Sequence, residues 1–317
     1  MRQNCKEYKA GKDDHNRRLD KILKIMLPDA SLSAIFKLMR TGRIRVNNAK
    51  SIPAYRICEG DIISIPEIEL VDTRNVESNF GSDAAIYFQT LIIAETADLV
   101  LVNKPRGMLT HGTNGLDVLA KSYFSNRMGT ALAFTPAPLH RLDRNTSGIV
   151  AVSASLRGAN EFSSALHDGK IHKEYLALVD GELKKEELLE DYLVRDAEIK
   201  KSALSTDHKG QLARTIIRPL LTTHNYTLAS IVLETGRTHQ IRTQCAAHGY
   251  ALSGDKKYAG SFLDGGYLLH AWKLEFANDC TLFGQLPATL TAPLSSSALQ
   301  TLGSFFAENQ LLSLFFA

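Results

Sequence analysis

Apolar residues near the start of the chain recur at three- and four-residue steps, the spacing that places them on one face of an α-helix. The first such series comprises Leu19, Ile22, Leu23 and Met26. Pro28 and Asp29 interrupt it, because proline lacks the backbone donor that a helix interior needs. A second helix is predicted to begin after Ser33, as its N-cap, and to end at Gly42.

The pattern then changes to alternation, which predicts strands. Ile44 and Val46 alternate with polar neighbours and lead into an Asn47–Asn48 turn. A last short strand is predicted over residues 61–65. Two helices and a small sheet within residues 15–65 indicate a compact α/β domain at the N-terminus.

Residues 66–90 show no clear period and are predicted to be a linker, because Asn, Ser, Gly and Asp are frequent in its middle. Strands predominate from there on, over residues 99–103, 148–153, 175–179 and 229–233. They do not alternate regularly with helices, so residues 91–317 are assigned to the α+β class. The chain is predicted to end in one amphipathic helix that closes the core. Its apolar residues are Leu299, Leu302, Phe305, Phe306, Leu312 and Phe315.

Composition argues against a membrane protein and against a disulfide-rich one. The longest apolar runs, such as residues 91–94, fall far short of the ~18 residues of a transmembrane helix. The polar N-terminus does not resemble a signal peptide. The cysteines contain no C-x-x-C pair, so reduced thiols in a cytoplasmic protein are expected. They are Cys5, Cys58, Cys245 and Cys280.

Charge is distributed unevenly along the chain. Of the total of +3, residues 1–65 carry +7, from fourteen Lys and Arg against seven Asp and Glu, and the other 252 residues carry −4. A basic module on a near-neutral body is typical of nucleic-acid binding, but dispersed surface cations give the same count. The charge alone leaves both interpretations open.

The densest polar cluster lies at residues 140–148, with sequence HRLDRNTSG. Asp143 stands close to Arg141 and Arg144, and neighbouring cations keep a carboxylate ionised, as a nucleophile or base must be. A structural ion-pair turn at the start of a strand explains the same residues. The absence of a G-x-S-x-G elbow weakens a hydrolase triad built on His140, Asp143 and Ser147.

Two further segments are rich in hydrogen-bond donors or aromatic groups. Residues 234–242 include His239 and Arg242, whose planar guanidinium can hold a carboxylate or phosphate in two bonds. Tyr175 begins a predicted buried strand and is by default a packing residue. No P-loop and no G-x-G-x-x-G motif occurs, and no zinc-ligand spacing accompanies His239.

Taken together, the segments resemble the RluA family of RNA pseudouridine synthases. Residues 140–148 closely resemble that family's H-R-L-D-R-x-T-S-G signature. Four more segments fall in the family's order, and the similarity covers residues 91–295. They are residues 103–111, 173–179, 236–258 and 268–272. Residues 15–65 are similar to an S4 RNA-binding domain. The resemblance implies a central mixed, largely antiparallel β-sheet flanked by helices, behind a small S4-like domain.

The resemblance also implies roles for three residues. Asp143 would be the nucleophile, Tyr175 the base that acts on the uracil ring, and Arg242 the partner of Asp143. The reaction is an isomerisation without net oxidation, so no cofactor and no metal are expected. The substrate would be a uridine in large-subunit ribosomal RNA or in transfer RNA, flipped out of its stack. An inactive RNA-binding relative is the alternative, but it predicts loss of one of the three residues.

RNA contacts are expected in both domains. In the S4-like domain they are Lys37, Arg40, Arg43 and Arg45. In the catalytic domain they are Lys104, His111, Arg141, Arg144, Arg237 and His239. The family further implies that Arg144 helps to fill the space left by the flipped base, and that the protein is a monomer without a membrane partner.

Overall fold

The computed structural model describes residues 5–66, 82–125, 131–196, 201–205, 207, 209–277 and 285–315. Its N-terminal unit has helices α1 (Leu19–Met26) and α2 (Leu32–Arg40). Its antiparallel sheet has the order β1–β3–β2. The strands are β1 (Cys5–Lys9), β2 (Arg45–Val46) and β3 (Ile62–Pro66).

The apolar pattern of the N-terminal unit folds as the sequence predicts, with one correction at a helix end. Leu19, Ile22 and Leu23 are fully buried on the inner face of α1. Ser31, not Ser33, is the N-cap of α2, because its Oγ accepts a hydrogen bond from the Ala34 backbone N–H at 3.2 Å. The Ser33 hydroxyl instead contacts that of Ser31.

A second sheet of ten strands forms the body of the molecule, and its order is β4–β5–β6–β12–β7–β11–β10–β8–β9, with β13 beside β12. The first strands are β4 (Ile92–Glu95), β5 (Leu99–Lys104), β6 (Ser147–Ser153), β7 (Ile171–Asp180) and β8 (Glu187–Asp196). The others are β9 (Lys201–Leu204), β10 (Gln211–Thr222), β11 (Tyr226–Leu233), β12 (Leu269–Phe276) and β13 (Thr289–Thr291). Only β6 and β12 pair in parallel among the described strands, so the predicted mixed, largely antiparallel sheet is confirmed.

Helices cover the sheet. They are α3 (Ser82–Thr90), α4 (Leu116–Phe124), α5 (Leu156–His167), α6 (Gln240–Ala247), α7 (Ser296–Gly303) and α8 (Glu308–Phe315). Helix α3 lies in the stretch predicted as a linker, and Phe88 from it is fully buried 4.9 Å from the ring of Tyr123 on α4. Residues 82–90 therefore pack with the body, while 67–81 lie outside the described residues.

The end of the chain forms two helices instead of the single predicted one. Helix α7 ends at Gly303 and α8 begins at Glu308. Leu302, Phe306 and Leu311 join a cluster with Trp272 on one face of the sheet, as the apolar pattern predicts. None of the described helices combines the length and apolar character needed to span a bilayer.

The centre of the sheet is buried on both faces, and this fixes the direction of each side chain. On β7, Tyr175, Ala177 and Val179 pack into one core, whereas Leu176 and Leu178 pack into the opposite one. Strand alternation thus places Tyr175 on the face that also holds Ile241 of α6 and Leu142.

Two carboxylates attach the N-terminal unit to the body. Asp14 is fully buried, and its two carboxylate oxygens accept from the Leu132 backbone N–H at 3.0 and 2.8 Å. Asp13 accepts from the N–H of Leu156, in the first turn of α5, at 2.9 Å. Backbone donors at a helix start are natural partners for a carboxylate, so this contact positions the unit against the body.

Candidate active site

The loop that carries Asp143 lies just before β6, and hydrogen bonds fix its residues 140 and 142. The Nε2 atom of His140 accepts from the Ala151 N–H at 3.1 Å, and its ring stacks on Phe162. Burial lowers the pKa of His140 to about 3, so the ring is neutral and can accept that bond. Thr110 donates to the Leu142 carbonyl at 2.9 Å and accepts from the Leu142 N–H at 3.1 Å. His140 therefore anchors the start of the loop.

Gly148 allows β6 to approach β12 closely. Its φ is +111°, and a Cβ atom there would lie 2.2 Å from the Ala271 carbonyl oxygen. Only glycine satisfies both conditions. The close packing of the Gly148 backbone against Ala271 thus explains why the signature ends in glycine.

Lys104 is a correction to the expected RNA contacts. Its side chain is fully buried, and its Nζ donates to the carbonyls of Pro105 at 3.1 Å and Met108 at 2.9 Å. A third, longer bond of 3.5 Å reaches the Arg144 carbonyl. Burial lowers the pKa of Lys104 to about 8, against the opposing charge of Asp143. Lys104 therefore ties a turn to the catalytic loop and is not available to a phosphate.

Arg242, on α6, reaches Asp143 across the site. Its Nη1 lies 3.3 Å from Asp143 Oδ2. Its Nε and Nη2 donate to the two oxygens of Asp255 at 2.6 and 2.9 Å, and the Asp255 residue is only 2% exposed. Burial opposes the charged guanidinium, but the hydrogen bonds and charge of Asp255, with Tyr267 and Asp143, raise the pKa of Arg242. The guanidinium is therefore a fixed positive charge aimed at Asp143.

Two aromatic rings enclose this guanidinium. The Cζ atom of Arg242 lies 5.0 Å from the centre of the Tyr258 ring and 4.7 Å from that of Tyr267. Asp255 and Tyr258 belong to the segment 236–258 that resembles the family, but the sequence predicted no role for either. Tyr267 carried no signal, because its isolated position in a loop shows no periodicity.

Tyr175 lies in the same hollow as Asp143 and is 6% exposed. Burial, and then the charge of Asp143, raises the pKa of its phenol. The hydroxyl is therefore protonated at neutral pH, which makes proton abstraction more demanding than it would be for an ionised phenolate.

Two hollows meet at Asp143. The first has a volume of about 640 Å³, within the range of small-molecule sites, and holds Tyr175, Arg237 and His239. The second has about 390 Å³ and is strongly basic. Its charged lining residues and histidines are His111, Arg141, Asp143, Arg144, Arg195, His239, Arg242 and Lys257. Arg195 and Lys257 were not predicted from the sequence.

The remaining predicted RNA contacts are partly or fully exposed. His111, Arg141, Arg144 and Arg237 are exposed around the two hollows, and His239 is half-buried between them. In the N-terminal unit Lys37, Arg40, Arg43 and Arg45 are exposed on α2, its following turn and β2. In the described part of the chain, no three His, Cys, Asp or Glu residues are grouped to hold a metal ion.

Two family models and several curated proteins are similar to this chain. A family model described as RNA pseudouridylate synthase matches residues 98–247, and an S4 domain model matches residues 17–63. The chain is 32% identical over 254 residues to "Ribosomal large subunit pseudouridine synthase C" of Buchnera aphidicola subsp. Acyrthosiphon pisum (strain APS), covering 78% of this chain and 79% of that protein. It is 28% identical to the protein of that name from Vibrio vulnificus (strain CMCP6), covering 89% and 90%.

Among solved structures, the one titled "Human RNA Pseudouridylate Synthase Domain Containing 4" has the same fold. It aligns with a TM-score of 0.58 at 18% identity, covering 70% of this chain and 96% of that one. The chain belongs to the RluA family of RNA pseudouridine synthases, with an N-terminal S4 domain. The resemblance drawn from the sequence is confirmed, and the chain is an isomerase that acts on RNA.

Proposed function

We propose that this enzyme converts specific uridines of large-subunit ribosomal RNA to pseudouridine, with Asp143 as the nucleophile. One observation supports the role of Asp143 above all. Its side chain is 26% exposed at the junction of the two hollows, while Arg242 contacts one of its oxygens from inside the protein. A carboxylate that is held by a buried guanidinium and is partly exposed in a hollow is suited to act on a bound sugar.

The reaction exchanges one bond for another on the same uridine. The C1′–N1 bond breaks, the uracil turns, and a C1′–C5 bond forms, after which the C5 proton leaves and N1 ends protonated. Asp143 either adds to C1′ and is later displaced, or removes the C2′ proton and returns it to C2′ when the C1′–C5 bond forms. Arg242 stabilises the carboxylate in both cases.

Tyr175 is proposed as the group under the uracil ring that takes the C5 proton. Its position on β7, in the hollow with Asp143, supports this role. Its raised pKa has a cost, because the phenol must pass its own proton on, to N1 of the uracil or to solvent, as it receives the one from C5. The acidity of the rejoined, non-aromatic ring favours this transfer.

Two features support ribosomal RNA as the substrate. The relatives from Buchnera and Vibrio bear the name ribosomal large subunit pseudouridine synthase C. Residues 1–65 carry +7, which adds phosphate attraction independent of base sequence. All three proposed catalytic residues come from one chain, which supports action as a monomer, and the RNA substrate supports a cytoplasmic location.

The decisive variant is Asp143→Asn, which keeps the size of the side chain and removes its charge. We expect tritium release from RNA containing 5-³H-uridine to fall by at least about 10⁴-fold, as for removal of a nucleophile, with RNA affinity nearly unchanged. Asp207→Asn is the matched control, since Asp207 is exposed and pairs with nearby Ser205 and Lys209. Turnover by Asp143→Asn near that of the control would refute the assignment.

A further inference from the structure

His239 lies beside the proposed nucleophile, where the two hollows meet. Its Nε2 lies 3.6 Å from Asp143 Oδ2, and its Nδ1 lies 2.8 Å from the Tyr258 hydroxyl. Only 15% of its side chain is exposed. The distance to Asp143 exceeds that of a hydrogen bond, but such contacts are often long without substrate and shorten in the complex.

The hydrogen bonds of Tyr258 determine which ring nitrogen of His239 carries the proton. The Ser202 backbone N–H can only donate, and it donates to the Tyr258 oxygen at 3.0 Å. The single hydroxyl proton of Tyr258 is then directed at the Nδ1 atom of His239. A neutral imidazole that accepts at Nδ1 carries its proton on Nε2, and Nε2 faces the carboxylate of Asp143.

The charges around His239 agree with a neutral ring. Burial lowers its pKa, Arg242 and Lys257 lower it further, and Asp143 and Asp255 oppose them. The opposite tautomer would set the Nε2 lone pair against the Asp143 oxygen and leave the Tyr258 proton facing an N–H.

The backbone at His239 is held in an unusual conformation that directs the ring. Its φ of 56° and ψ of 21° lie in the left-handed region, which residues other than glycine seldom adopt. It occupies the N-cap of α6 without making a side-chain cap bond. The Ser202 hydroxyl on β9 donates to the Thr238 carbonyl at 2.8 Å, so the single buried residue Ser202 holds both the loop and Tyr258.

We propose that His239 is a positioning residue for Asp143, not an RNA contact: its Nε2–H holds Oδ2 together with Arg242. Both contacts fall on the same oxygen, so the other oxygen, Oδ1, is presented to the sugar. The inference rests on the proposed role of Asp143, and it extends the site to Tyr258 and Ser202, which fix the tautomer.

Two replacements of His239 test the positioning role. Asparagine tolerates the left-handed backbone but is too short to reach Asp143, whereas glutamine can place an N–H near the Nε2 position. Under single turnover we expect His239→Asn to react about 10- to 100-fold more slowly, the effect of losing a hydrogen bond to a charged group, with unchanged RNA affinity. His239→Gln should recover part of the rate. A wild-type rate for His239→Asn, or a loss confined to affinity, would overturn the proposal.

A second measurement needs neither substrate nor activity. The ¹⁵N chemical shifts of the His239 ring identify the protonated nitrogen directly. We expect the Nε2–H form in the wild type and in Asp143→Asn, and a mixture of tautomers in Tyr258→Phe. An Nδ1–H ring in the wild type would overturn the proposal. If Asp143→Asn is active, the proposed function fails; if it is inactive while His239→Asn is normal, only the positioning role fails.

Discussion

Lys104 offers a quantitative test of how the catalytic loop is built. The structure surrounds its ammonium with backbone carbonyls and lowers its pKa from 10.5 to about 8 through burial. The substitution Lys104→Met keeps an unbranched apolar stem and removes the titrating group. The difference in free energy of unfolding between the wild type and Lys104→Met then depends on pH, and the lowered pKa of Lys104 determines the direction of that dependence.

Below pH 8 the folded and unfolded chains both hold the Lys104 proton, and the residue adds no pH dependence. Between about pH 8 and 10.5 the unfolded chain keeps the proton and the folded chain has lost it. Because the unfolded state then binds more protons, the free energy of unfolding rises with pH. We expect the wild type to gain about 3 kcal/mol relative to Lys104→Met across this interval.

Urea unfolding at several pH values, followed by fluorescence of Trp272, measures this difference. Trp272 is the only tryptophan and lies in the same sheet as Lys104, so its signal reports on the body. Lys121→Met, on an exposed position of α4, is the control and should show no such trend. If the difference in free energy of unfolding between the wild type and Lys104→Met stays constant or shrinks as pH rises, the claim that burial lowers the pKa of Lys104 is refuted. RNA affinity and its salt slope should not change, whereas loss of a phosphate contact lowers the slope by about 0.7–0.9.

Two more predictions concern the site and the N-terminal domain. Asp255→Asn should lower the free energy of unfolding in urea by about 3 kcal/mol and the single-turnover rate about 100-fold, because it breaks a buried ion pair and leaves Arg242 without that partner. Glu182→Gln at an exposed pair is the control, and a normal rate for Asp255→Asn would exclude a role for Asp255. The double variant Lys37→Glu, Arg40→Glu should weaken ribosomal RNA binding and flatten its salt dependence, whereas the control Lys184→Glu should change neither. If the double variant and the wild type have equal salt slopes in filter-binding titrations, the proposed RNA surface is contradicted.

The sequence alone determined the elements whose signal is local. The three- and four-residue period of Leu19, Ile22 and Leu23 predicted α1, and the Asn47–Asn48 turn has the positive φ angles expected of asparagine. Short apolar runs separated by turns predicted the central strands, such as residues 99–103 and 175–179, because a strand buried on both faces is apolar along its length. The signature around Asp143 gave the family, since it depends on residue order and not on distance.

Tertiary structure decided what depends on neighbours distant in the chain. Lys104 appeared to be a surface cation until the Arg144 loop folded over it, and Phe88 appeared to be part of a linker until α3 packed on α4. Asp255 and Tyr267 acquired roles only beside Arg242. Burial and hydrogen-bond partners arise from contacts between residues distant in the chain, and the local spacing of apolar residues does not predict them. The same contacts fixed the orientation of His239, for which only an RNA contact was expected from the sequence.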